Sequence, residues 1–89
     1  MEILEKVEEK IAERYKSPFS IDGQKCFLHG KEHYFLLTLL YLEDPAIVVE
    51  HAHTLKDAQK DLFEDGDLFY VDEMSEDEIF EAIVNEVES

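Results

Sequence analysis

The stretch "YFLLTLLYLEDPAIVVEHAH", residues 34–53, decides the fold. Residues 34–42 are apolar at nearly every position, which is typical of a central strand covered on both faces. A helix is the competing interpretation, but Gly30 before this run and Pro45 after it favour a strand. "EDPA" predicts a turn into a partner strand over residues 47–53. The stretch therefore predicts two paired antiparallel strands.

Upstream of this strand pair, the sequence predicts a helix followed by a hairpin. Apolar residues at three- and four-residue steps predict an amphipathic helix over residues 2–16. "SP" at residues 17–18 is expected to end it, because the residue before proline avoids the helical conformation. Asp22 and Gly23 are the favoured pair for a tight two-residue turn, which predicts a hairpin within residues 19–30.

A short helix and a last strand are predicted downstream. Thr54 is placed to cap a helix over residues 55–64, and "EDGD" at residues 64–67 is expected to break it. "LFYV", residues 68–71, predicts the last strand. The short helix is expected to turn three residues inward, namely Leu55, Ala58 and Leu62.

The C-terminal helix has the most complete local signature in the chain. Ser75 and Glu78 fit an S-x-x-E capping box, and Met74 with Ile79 supplies a hydrophobic staple. Apolar residues then recur at helical spacing, which predicts one buried stripe. That stripe consists of Ile79, Phe80, Ile83, Val84 and Val87.

Element order and composition indicate one small α+β domain over residues 1–89. A chain of 89 residues with 45% hydrophobic residues is apolar enough to form a core. We expect an antiparallel sheet of three to four strands with N- and C-terminal amphipathic helices packed on it. The single cysteine, Cys26, is typical of a reducing compartment. With neither a signal peptide nor a membrane-length apolar run, the sequence predicts a cytoplasmic protein.

Negative charge is concentrated in the last third of the chain. The net charge is −15, and residues 63–89 hold 11 of the 23 acidic residues and none of the 8 basic residues. Nucleic acids and anionic membranes attract the opposite charge, so we expect neither as a partner. Glu86 stands near the predicted end of the last helix, where negative charge is unfavourable. The carboxylates expected to face a basic partner are Asp65, Asp67, Asp72, Glu73, Glu78, Glu81 and Glu88.

This charge distribution predicts a small acidic interaction protein that binds a basic protein partner. An inhibitor, an immunity-type protein or a mimic of nucleic-acid charge would use such a surface. No G-x-S-x-G motif, phosphate-binding glycine loop or H-E-x-x-H motif occurs, so the sequence predicts neither an enzyme nor a bound cofactor. A module that forms a homodimer through an uncovered sheet face is a further alternative.

Two histidines, His51 and His53, share a face of the predicted partner strand. With His33 as a third ligand they would suit zinc, since imidazole is one of its preferred ligands. A register that pairs His51 with Leu37 places His33 on the same face, whereas a shift of one residue places it on the other. The alternative is that the histidines continue an apolar strand face to its solvent edge.

Overall fold

A five-strand sheet and three helices make up the part of the chain that the computed structural model describes, residues 2–89. None of these helices is both long and apolar enough to cross a membrane. In chain order the elements are α1 (Glu2–Arg14), β1 (Lys16–Ile21), β2 (Gln24–His29), β3 (His33–Leu40), β4 (Ala46–Ala52), α2 (Leu55–Gln59), β5 (Glu64–Tyr70) and α3 (Glu76–Glu88).

The strands pair with their chain neighbours, in the order β1-β2-β3-β4-β5, and every pair is antiparallel. The prediction of an antiparallel sheet is confirmed, but the sheet has five strands and not the predicted three to four. Both arms of the hairpin join the sheet, and the acidic "EDGD" segment begins β5 instead of breaking a helix. Helix α1 ends at Arg14, so Ser17 and Pro18 lie within β1. Proline is tolerated there because β1 is an edge strand with an irregular register.

Two local predictions, a turn and a helix cap, are confirmed. Asp22 and Gly23 both have positive φ, 50° and 82°, as a tight hairpin turn requires. At the start of α3, Ser75 Oγ accepts from the Glu78 backbone N–H at 3.2 Å. The Ser75 backbone N–H donates to Glu78 Oε1 at 2.9 Å, which completes the capping box.

Helix α2 is shorter than predicted. Its Thr54 cap is present, with Thr54 Oγ1 accepting from the Asp57 backbone N–H at 3.1 Å. The helix nevertheless stops at Gln59, and Asp61 follows with φ 57°. Of the three residues expected to face inward, only Ala58 is buried; Leu55 is 41% and Leu62 58% exposed. Because α2 is little more than one turn long and Asp61 then takes a left-handed conformation, Leu55, Ala58 and Leu62 cannot share one helix face.

The sheet separates two hydrophobic clusters. The smaller combines Ala58 of α2 with Cys26, Tyr34, Leu36 and Ala52 of the sheet. The larger combines buried residues of α1 and α3 with the opposite sheet face. Its members are Val7, Ile11, Tyr15, Phe27, Phe35, Leu37, Ile47, Val49, Ile79, Ile83 and Val87.

Candidate functional site

The pairing of β3 with β4 brings the histidines together. Phe35 pairs with His51, which differs by two residues from the register that pairs His51 with Leu37 and by three from the alternative register. A five-residue connection, residues 41–45, sets this register instead of a tight turn. A shift of two residues preserves the face of every side chain. His33 therefore lies on the same side of the sheet as His51.

Four histidines form a histidine cluster near the start of β3 and the end of β4. They are His29, His33, His51 and His53. The His33 ring centre lies 5.0 Å from that of His51 and 5.2 Å from that of His53, while His51 and His53 are 6.3 Å apart. His33 Nε2 and His51 Nδ1 are 2.8 Å apart, within hydrogen-bond distance. His29 lies at the periphery, 5.9 Å from His33.

Glu86 of α3 completes the site from the other side of His51. Its Oε2 is hydrogen-bonded to His51 Nε2, and its Oε1 accepts from the Asp67 backbone N–H at 3.0 Å. The His51 and Glu86 side chains are only 13% and 14% exposed. This role of Glu86 was not predicted from the sequence, where its charge was interpreted as unfavourable at the end of a helix. Its position three residues after the buried Ile83 was the available signal, since that spacing returns to the inner face of a helix.

Burial first, and then the neighbouring His51, His53 and His29, together lower the pKa of His33 to about 4. A hydrogen bond with the Val87 backbone acts in the opposite direction. The ring is therefore neutral in the folded protein around neutral pH. It takes up a proton more readily when the chain unfolds.

We expect the metal-free protein to lose stability as the pH falls from about 6.5 to about 4, because only unfolded chains then protonate His33. Allowing for solvent screening of this partly buried ring, the loss of stability between about pH 7 and about pH 5 is about 1 kcal/mol. Urea unfolding in a chelator-containing buffer measures this loss of unfolding free energy. His33→Gln is the control, because it should lack the part of the pH dependence that His33 causes. Equal pH dependence in wild type and variant would contradict the assignment to His33.

Two of the seven carboxylates predicted to face a partner instead form contacts within the chain. Glu78 belongs to the capping box, where the Ser75 backbone N–H, and to a smaller extent its side chain, lowers the pKa of Glu78. Glu88 pairs with Arg14, as described below. Within residues 2–89, the other five predicted carboxylates are exposed and form no side-chain hydrogen bond or ion pair. They are Asp65, Asp67, Asp72, Glu73 and Glu81.

A concave site of about 480 Å³ adjoins the histidine cluster, with Arg14, Lys16, His29 and Glu88 in its walls. Arg14 donates to both Glu88 oxygens, from Nε at 2.9 Å and from Nη2 at 3.1 Å, and the Tyr15 hydroxyl donates to the same carboxylate. The hydrogen bond from Arg14, and to a smaller extent that from Tyr15, lowers the pKa of Glu88 to about 2. The main cation of this cavity is thus paired within the chain.

Metal ligation is not preformed in the part of the chain described. No group of three or more His, Cys, Asp or Glu side chains in residues 2–89 is arranged to hold a metal ion. Cys26, the single cysteine of the chain, lies in the smaller cluster, on the opposite sheet face from the histidines. Burial raises the pKa of its thiol to about 11, which disfavours the thiolate that metals and nucleophilic chemistry need. Comparisons of the chain with protein-family models, curated proteins and solved structures found no match.

Proposed function

We propose that this chain is a small cytoplasmic interaction protein that presents an acidic surface to a basic protein partner. One observation carries the proposal. Residues 63–89 hold 11 acidic residues and no basic residue, and five of the predicted partner-facing carboxylates have no interaction within the described chain. Inhibition of a basic enzyme, an immunity-type role and mimicry of nucleic-acid charge all fit such a surface.

The pattern of internal ion pairs supports this proposal. Lys10 of α1 pairs with Glu76 at 2.9 Å and also with Asp77, at the start of α3. Arg14 of α1 pairs with Glu88 at the end of α3. Lys10 and Arg14 therefore neutralise the two ends of α3. Within residues 2–89, the carboxylates of β5 and of the turn that follows it form no ion pair with Lys or Arg.

Strand β5 is also an edge strand, with β4 on one side and an unpaired edge on the other. Charged residues such as Asp65 and Asp67 commonly protect an open edge from aggregation. The same charges increase the rate at which an oppositely charged protein associates. Protection of the edge needs no partner, so an experiment on binding separates the two roles.

The test compares two tag-free variants with the same change in net charge. One carries Asp65→Asn, Asp67→Asn and Asp72→Asn. The control carries Glu5→Gln, Glu9→Gln and Glu13→Gln, which replace exposed residues of α1. Each protein is immobilised, incubated with lysate of the source cells and eluted with increasing salt.

We expect wild type and the α1 control to retain the same basic protein, and salt to release it. The affinity of the purified partner for the Asp65/Asp67/Asp72 variant should fall about tenfold, because each charge at an interface rim contributes about 0.5 kcal/mol. Equal affinity for all three proteins, or a captured set without a basic protein, would contradict the proposal.

A further inference from the structure

We propose that His33, His51 and His53 form a binding site for a single divalent transition-metal ion of the zinc type. This inference is independent of the acidic surface. His51 lies near the end of β4, His53 directly follows that strand, and His33 begins the adjacent antiparallel strand β3. The ends of two neighbouring strands thus bring three imidazoles together.

Two of the three distances between ring centres suit a tetrahedral metal ion, and the third, 6.3 Å between His51 and His53, must shorten. With metal–nitrogen bonds of about 2.0–2.1 Å, the ligating nitrogens lie about 3.3 Å apart and the ring centres about 5 Å apart. His33 already lies 5.0 Å from His51 and 5.2 Å from His53, measured between ring centres. The contact between His33 Nε2 and His51 Nδ1, at 2.8 Å, would need to open by about 0.5 Å.

Glu86 prepares His51 for this role. Its carboxylate accepts the hydrogen bond of His51 Nε2, which fixes the ring proton on Nε2 and leaves the Nδ1 lone pair directed at His33. A carboxylate that binds the second nitrogen of a ligating histidine is a common partner in metal sites. Glu86 is itself held by the Asp67 backbone N–H, so its direction is set by the fold.

One nitrogen of each of these two partly buried rings faces the other, with His33 Nε2 and His51 Nδ1 2.8 Å apart. A metal ion between the two rings would bind both nitrogens in place of this contact. Burial of His33 opposes protonation and keeps its ring in the neutral form that metals bind.

Metal binding requires a rearrangement of His53. The rings of His33, His51 and His53 lie within 28° of parallel, and the group is not arranged as a metal centre as it stands. His53 is exposed, follows the last residue of β4 and forms no hydrogen bond within residues 2–89. Its side chain can therefore rotate toward the other two rings at little cost. Three histidine ligands would leave the fourth tetrahedral position to water or another ligand.

The test titrates tag-free protein with cobalt(II) and, separately, zinc chloride. We expect one metal ion per chain, a tetrahedral cobalt(II) absorption spectrum and a melting temperature that rises with zinc concentration. His53→Ala should lower the affinity at least about tenfold, and Glu86→Gln about 10- to 100-fold. His53→Ala removes an exposed ring without a hydrogen bond, so the fold should be retained.

His29→Ala is the matched control, because His29 belongs to the histidine cluster but lies outside the proposed ligand set. It should bind both metals as wild type does. The proposal would be overturned by the absence of stoichiometric binding or by His53→Ala binding as tightly as wild type. Equal losses in His29→Ala and His53→Ala would overturn it as well, since nonspecific association with the histidines would produce that result.

Discussion

Replacing Phe35 by alanine is expected to lower the free energy of unfolding by about 3–5 kcal/mol. Phe35 is fully buried at the centre of the larger cluster. Its ring stacks on Phe27 with centres 5.4 Å apart and meets Tyr15 edge-on at 5.2 Å. Truncation therefore removes two aromatic contacts and leaves a cavity that the strands of a continuous sheet cannot close.

The loss is large for a domain of this size, whose total stability is about 5–15 kcal/mol. Thermal and urea unfolding both measure it, and we expect the melting temperature to fall by at least about 12 °C. Tyr41→Ala is the control, because it truncates an aromatic residue that is 81% exposed. Tyr41→Ala should lower the free energy of unfolding by less than about 0.5 kcal/mol. Similar costs for the two variants would contradict the assignment of Phe35 to the centre of the core.

Features fixed by adjacent residues were predictable from the sequence. The Asp22-Gly23 turn needs only two residues that tolerate positive φ, and the capping box needs only Ser75 and Glu78. Neither depends on distant parts of the chain. The placement of β5 shows the limit of such reasoning, because "EDGD" reads locally as a turn but gains backbone partners when it pairs with β4.

The candidate site was predictable only in part, because it depends on contacts across the fold. Because side chains alternate between the two faces of a strand, the sequence predicted that His51 and His53 share a face. The β3–β4 register depended on the connection over residues 41–45. The partner of His51, Glu86, lies 35 residues away in the chain. No periodic pattern links a strand residue to a helix residue at that separation.

Gly66 connects the fold to this site, and we expect Gly66→Ala to cost about 2–3 kcal/mol. A Cβ atom at this position would lie 2.7 Å from His51 Nε2 and 2.7 Å from the Val49 carbonyl oxygen, and it would also collide with Glu86 Oε2. The two side chains can move, but the carbonyl belongs to the central part of β4. The register of β4 and β5 is irregular at this point, so glycine permits the close approach.

Urea unfolding of the wild type, the two single variants Gly66→Ala and Glu86→Ala, their double variant and one control separates this crowding from other effects of adding a methyl group. Gly23→Ala is the matched control: it has open space around its Cβ but a φ of +82°, so only backbone strain of about 1 kcal/mol is expected. Combining Gly66→Ala with Glu86→Ala should recover part of the loss, because the carboxylate collision disappears while the Val49 carbonyl remains. Strictly additive costs would show that Glu86 does not contact position 66. A Gly66→Ala protein within about 0.5 kcal/mol of wild type would contradict the close packing of Gly66 on His51 and Glu86 altogether.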